Sequence, residues 1–288
     1  MTSPWALDRG CPASCAAAPD ARVPVAELAR RYAALAYVLT RAAARGDRLA
    51  EPRVLRGEAR AVLSALGVRV AVGGSERLGA GLAGRLSVPD RSGAGTLVVA
   101  NHISWLDVVA LLAVEPVRVL AKREVSRWPL IGTLARRAGT LFIDRDGSPR
   151  QLPCDVGALS ACMRGGTSVL VFPQATTWCS AAGGRFRRAA FQAAADAGAP
   201  VRPVTVTYRQ GGAPSTAAAF LGDEDFTASL RRVAAARGLS ARITAHTPLR
   251  STDRRELAAA AQLAVSGGAV PSPGTLPSPA REQRMVDQ

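Results

Sequence analysis

At 288 residues, with 48% hydrophobic and 20% charged side chains, the chain can bury one sizeable core and is not globally disordered. Its net charge of +15 turns the surface toward anions; the charge is almost all arginine, spread without basic blocks or interleaved aromatics, which argues against nucleic acid and for acidic headgroups or phosphorylated ligands. Five cysteines at irregular positions (Cys11, Cys15, Cys154, Cys162 and Cys179) and two distant histidines show no metal-ligand spacing, so no metal is expected and the chain reads as reduced and cytosolic; Cys11 and Cys15 could bind a metal or a lipid, but isolated N-terminal thiols more often do nothing specific.

Residues 1–22 are rich in Pro, Ala and small polar groups, and residues 267–288 run through Gly, Pro and Ser; both ends are expected to be disordered. Asp8 and Arg9 interrupt any apolar leader. Within residues 23–50 the spacing of Leu28, Tyr32, Leu35 and Leu39 predicts an amphipathic helix over Val25–Ala44, punctuated by Arg30, Arg31 and Arg41. A second amphipathic helix is expected over Val54–Leu66, and either helix could lie on a bilayer or pack on the domain. No apolar stretch reaches the roughly 18 uncharged residues that a membrane span needs, so association with a membrane is expected to be peripheral.

The main domain is placed at 51–266. From Thr96 onward, continuous apolar runs alternate with helical segments: run Thr96–Ala100, helix Trp105–Ala113, run Val117–Ala121, helix Leu130–Ala138, run Thr140–Ile143, helix Gln151–Met163 and run Ser168–Phe172. A helix over Phe186–Ala197, a run over Val201–Tyr208, a helix over Phe226–Arg237, a run over Ala241–Ala245 and a helix over Asp253–Val265 complete it. This alternation predicts an α/β fold, a mainly parallel sheet flanked by helices, with ligands bound beyond the carboxyl ends of the strands.

Against so biased a composition, rare residue types stand out. Lys122 is the only lysine, Asn101 the only asparagine, and His102 and His246 the only histidines. His102 follows the first apolar run in Asn101-His102-Ile103-Ser104-Trp105-Leu106-Asp107. Imidazole is the natural base for a hydroxyl near neutral pH, and it needs an acid to orient it. On one straight helix His102 and Asp107 would point about 140° apart. They can meet only if His102 lies on the loop before the helix, and Ser-x-x-Asp supplies that geometry, with Ser104 as N-cap and Asp107 in the first turn. The bland alternative is that Asp107 merely favours the helix start while His102 is a passive loop residue. His246, late in an apolar run, reads as structural.

The His-x4-Asp segment resembles the first block of the glycerolipid acyltransferases, the family of 1-acylglycerol-3-phosphate and glycerol-3-phosphate acyltransferases. Gly139-Thr140-Leu141-Phe142-Ile143-Asp144-Arg145 resembles the second block, Val171-Phe172-Pro173-Gln174-Ala175-Thr176-Thr177 the third, and Val201-Arg202-Pro203-Val204 the fourth, in the family's order. The resemblance implies a glycerol-3-phosphate acyltransferase-like domain in which His102 deprotonates an acceptor hydroxyl and Asp107 holds the imidazole. The hydroxyl would attack an acyl-CoA or acyl-carrier-protein thioester directly, with no cofactor, metal or covalent acyl-enzyme.

It further implies that Arg145 meets an acceptor phosphate and that Gln174 and Thr176 lie among the substrate contacts; Lys122, after another apolar run, is a second candidate cation at the same sheet edge. Arg185, Arg187 and Arg188, after a flexible Gly-Gly stretch, could reach phosphate, a carrier protein or anionic lipid, with Arg185 the leading candidate, or could form a solvated face. Gln174-Ala175 stands where the family has Glu-Gly, which leaves a non-phosphate acceptor such as an amino-acid lysolipid open beside the default, lysophosphatidic acid to phosphatidic acid. A non-catalytic lipid-binding relative is the remaining alternative. The expected partners are a thioester donor, a lysolipid acceptor and the anionic cytoplasmic face of the plasma membrane.

Overall fold

The computed structural model describes residues 11–74, 84–143 and 152–267. Arg145 lies outside the described residues, as do residues 1–10 and 268–288. Helices α1 (Val25–Ala44), α2 (Pro52–Ala65), α3 (Leu106–Val114), α4 (Ile131–Arg137), α5 (Leu152–Arg164), α6 (Ala189–Ala197), α7 (Phe226–Ala235) and α8 (Arg254–Val265) alternate with strands. The strands are β1 (Arg69–Gly74), β2 (Leu97–Ala100), β3 (Arg118–Lys122), β4 (Leu141–Ile143), β5 (Val169–Val171), β6 (Val201–Gln210), β7 (Ala213–Pro214) and β8 (Leu239–Ala245).

They form one sheet in the order β1-β8-β6-β2-β5-β3-β4, with β7 paired to β6. Neighbours run parallel except β6 with β8 and β6 with β7. The mainly parallel sheet follows from the uninterrupted apolar runs: β2 and β5 are buried along their whole length because helices cover both faces. Residues of α1, α2, α3 and α7 fill one apolar cluster, and residues of α5, α6 and α8 fill the other.

Helix α1 spans the predicted residues and turns Leu35, Val38 and Ala42 into the core. Arg31, read from sequence as a charge interrupting the helix, is buried. Its Nη1 donates to the carbonyls of Leu66, Ala234 and Ala236 at 2.8, 3.0 and 2.9 Å, so one guanidinium satisfies the open carbonyls where α2 and α7 end. Gly67, at φ +69°, gives it room: a Cβ there would fall 2.3 Å from the guanidinium. The outward face of α1 carries Val25, Ala26, Ala29, Tyr32, Ala33, Ala36, Tyr37 and Thr40, with Arg30 its one charge in that stretch.

Residues 11–22 depart from the disorder expected of them and form a strap across the domain. Ala17 N donates to Thr216 Oγ1 at 3.0 Å, Asp20 N to Gln210 Oε1 at 3.0 Å, and Gln210 Nε2 returns a bond to Ala21 O at 2.6 Å. Arg22 bridges Ala236, which is extended; that is why α7 stops at Ala235, two residues before the predicted end. Strand β1 was not predicted. Among the described residues no helix is long and apolar enough to cross a membrane.

Candidate functional site

Strand β2 ends at Ala100, and the next residue carries the ladder onward with its side chain. Asn101 Nδ2 donates to Val206 O at 2.9 Å and its Oδ1 accepts from Val206 N at 2.8 Å, the pairing a strand residue would make with its backbone. An amide is the side chain that supplies one donor and one acceptor in this arrangement. The main chain is thereby released from the sheet at the point where His102 must turn away from it.

His102 lies on the loop before α3, as the spacing argument requires, and its Nδ1 sits 2.9 Å from Asp107 Oδ2. The same carboxylate oxygen accepts from the amides of Ile103 and Ser104 at 2.7 and 2.9 Å, while Oδ1 accepts from the Tyr208 hydroxyl at 2.7 Å. Asp107 thus reaches back to the Ser104 amide as a capping-box acid does, although the Ser104 hydroxyl accepts from Leu106 N at 3.2 Å and the helix itself begins at Leu106. Asp107 is fully buried, and both of its carboxylate oxygens are engaged by these donors. Burial, reinforced by the neighbouring carboxylate, pushes the Tyr208 phenol well above its usual range, so it remains a donor.

Asp107 Oδ2 accepts from two amides and faces Nδ1 as an acceptor, so the network assigns the imidazole proton to Nδ1 and leaves Nε2 without one. The ring stacks on Phe172 at a centroid distance of 4.0 Å and keeps 22% of its side-chain surface exposed. A buried acid and an oriented, partly exposed ring together can remove a proton from a hydroxyl. Phe172 and Tyr208 escaped the sequence reading as site residues; both stood at the ends of predicted strands, but nothing local marked either as a partner of His102.

Gln174, suggested as a substrate contact, bonds the backbone on both sides of its amide. Its Oε1 accepts from His102 N at 2.7 Å and its Nε2 donates to Gly183 O, so the side chain joins the His102 backbone to the loop after β5. The Trp178 amide closes the same junction by donating to His102 O at 2.8 Å, and its indole leans on Gly183 and Gly184, where any Cβ would fall within 2.6 Å of the ring. A glutamate could keep the bond to His102 but would set an oxygen against the Gly183 carbonyl. Gln174→Glu is therefore expected to cost about 2 kcal/mol of stability and about tenfold in turnover. Ala175 has φ 65°, a conformation that favours glycine, so Ala175→Gly should raise the melting temperature and partly offset the loss in the double variant. Thermal melts and initial rates of the three proteins check this; an unchanged Gln174→Glu would remove the junction from consideration.

His102, Gln174 and Lys122 follow β2, β5 and end β3, which are neighbours in the sheet, so all three leave it at the same edge. Lys122 is half-buried, Thr176 is half-buried and Arg185 is exposed; none makes a side-chain hydrogen bond among the described residues. Position therefore allows a ligand role for Lys122 without adding a contact for it. His246 belongs elsewhere: β8 runs against β6, which carries it toward the opposite sheet edge, where Thr205 Oγ1 lies 2.7 Å from its Nε2. Burial first, and then nearby Arg202, hold its pKa below the usual histidine value. A cavity of about 680 Å³ lined by Arg60, Leu63, Val70, Val72 and Val114 lies beside β1, and no residue around His102 lines it.

The family model described as acyltransferase matches residues 69–207, which contain His102, Asp107, Phe172 and Gln174 and stop one residue short of Tyr208. The lyso-ornithine lipid O-acyltransferase of Pseudomonas aeruginosa is 39% identical over 171 residues, covering 59% of this chain and 66% of that protein. The 1-acyl-sn-glycerol-3-phosphate acyltransferase of Neisseria meningitidis serogroup B is 36% identical over 149 residues, covering 52% and 58%. The chain thus spans somewhat under two thirds of the length of these curated relatives. The crystal structure of the 1-acyl-sn-glycerophosphate acyltransferase of Thermotoga maritima shares the fold, at a TM-score of 0.56 and 19% identity over 84% of this chain and 92% of that one. Sequence blocks, fold and the matching segment agree: the chain belongs to the glycerolipid acyltransferase family.

Proposed function

We propose that the chain is an O-acyltransferase that moves a fatty acyl group from a thioester of CoA or acyl-carrier protein to the hydroxyl of a lysolipid. The observation that carries this reading is the His102–Asp107 pair at 2.9 Å, its acid buried and its imidazole partly exposed. In the reaction His102 Nε2 accepts the hydroxyl proton as the oxygen attacks the thioester carbonyl. The C–O bond forms, the C–S bond breaks, and the imidazolium returns the proton to the departing thiolate. Because a thioester is already activated, orientation and proton transfer suffice, without a metal or an acyl-enzyme.

Lysophosphatidic acid is the default acceptor, with Lys122 and Arg145 as the cations for its phosphate. A second reading, a lyso-ornithine lipid, is favoured by the 39% identity to the Pseudomonas aeruginosa protein. Thioester consumption with each lysolipid decides between them. Turnover without any acceptor would indicate a hydrolase, and no turnover with either thioester a binding protein.

The reading includes peripheral attachment to the anionic cytoplasmic face of the plasma membrane. It is supported by the net charge of +15, the nearly uncharged outer face of α1, and a hydrophobic tip at Trp128-Pro129-Leu130. Trp128 and Leu130 are exposed, and Leu130 sits at φ 59°, a strained conformation for a leucine. Binding to anionic vesicles should weaken with salt, and Trp128→Ala combined with Leu130→Ser should weaken it about tenfold further. Undiminished sedimentation of the double variant with vesicles would exclude this tip as the contact.

A further inference from the structure

Three of the five cysteines, unpromising in sequence, converge in the fold. Cys11 and Cys15 lie on the strap before α1, and Cys179, 168 residues beyond Cys11, lies on the loop after β5. Their sulfur atoms all lie within 4.8 Å of one another, with Cys11 Sγ and Cys179 Sγ 3.3 Å apart. The amide of Cys179 points at Cys11 Sγ from 3.4 Å. All three are half-buried, shielded on one side yet reachable from solvent.

We propose that Cys11, Cys15 and Cys179 form a thiolate site for a zinc-type divalent ion. Thiolates about 2.3 Å from a tetrahedral zinc stand roughly 3.8 Å apart, between the 3.3 Å of the Cys11–Cys179 pair and the 4.8 Å within which all three sulfurs lie. An iron–sulfur cluster, which places at least one of three cysteines on a second iron, requires wider spacing. Zinc imposes no geometry of its own through its d-electrons and accepts soft sulfur ligands readily, so three cysteines with water in the fourth position suit it. The amide aimed at Cys11 Sγ supplies the hydrogen bond that commonly supports a metal-bound thiolate.

The surrounding contacts hold the sulfurs in place without the ion. Hydrogen bonds from Ala17 and Asp20 to Thr216 and Gln210 fasten the strap, and Gly222 leaves room for it, since a Cβ there would fall 3.3 Å from Ala13 N. On the other side, Cys179 follows Trp178, whose amide bonds the His102 carbonyl. An ion at this site would join the strap to the loop that holds the His102 backbone. Its role is therefore structural, and its consequence is the rigidity of that loop.

The test uses the full chain, purified under reducing conditions with a chelator, dialysed, and titrated with Co²⁺ and then Zn²⁺. We expect about one equivalent of cobalt to bind with a sulfur-to-metal charge-transfer band in the near ultraviolet, and zinc to displace it. Cys11→Ser, Cys15→Ser and Cys179→Ser should each lower zinc affinity by ~100-fold or more, while Cys154→Ser and Cys162→Ser leave it unchanged. Zinc should also raise the melting temperature of the parent protein and not that of the three variants. Should Cys179→Ser fail to fold, Cys15→Ser, which lies on the strap, carries the comparison. A cobalt complex lacking the thiolate band, a band that survives in Cys15→Ser, or a reduced protein that binds no zinc and in air forms only a Cys11–Cys179 disulfide, about 2 Da lighter, would each overturn the proposal.

Discussion

Replacing His102 by alanine is expected to lower kcat by at least ~10³-fold while leaving the melting temperature within a few degrees of the parent. The asymmetry comes from how the residue is held. Its backbone N–H and C=O bond Gln174 and Trp178, and alanine retains both. What disappears is the imidazole: its Nε2, its bond to Asp107 and its stacking on Phe172. Single-turnover rates with a saturating lysolipid, paired with thermal melts, provide the measurement. A His102→Ala protein turning over at the parent rate would mean that another group removes the proton.

Asp107→Asn is expected to cost about 10²-fold, less than loss of the base, and the reason lies in the donors that surround it. The Oδ2 position faces the amides of Ile103 and Ser104 as well as the imidazole, and an NH₂ group there would confront two N–H donors. Asparagine must therefore place its oxygen toward His102 and its nitrogen toward Tyr208, whose hydroxyl can rotate to accept. The imidazole keeps its tautomer. The variant loses the negative charge that stabilises the imidazolium, worth about 3 kcal/mol in the transition state. Asp107→Ala, which also releases the two amides, should be worse in rate and less stable. Equal rates for Asp107→Asn and the parent would show that the charge plays no part; a loss as large as that of His102→Ala would mean that the tautomer is not held.

Much of this could be read without coordinates. The apolar runs that became β2, β5 and β6 are covered on both faces, so burial left an unbroken mark in the sequence. β1 left none, because Arg69, Ala71 and Val72 are exposed at the sheet edge and the strand ends in glycines. The strap over residues 11–22 was equally hidden: its composition resembles a loose end, and its order comes from Thr216, Gln210 and Ala236, about 200 residues away. Within the site, His102 and Asp107 were legible because five residues separate them. Tyr208, Phe172 and the thiols around Cys179 depend on strand order, which no single segment encodes. Gln174 was visible as a departure from the family pattern, but its hydrogen bonds to the His102 and Gly183 backbone were not.

The buried Arg31 carries a mechanical implication. Because one guanidinium holds three carbonyls from two other helices, α1 cannot swing away from the domain without leaving those three acceptors open. In the proposed peripheral mode, a bilayer touching the Val25, Tyr32 and Tyr37 face would engage the whole body at once, and docking rather than any hinge between helix and core would set the angle at which the sheet edge approaches it.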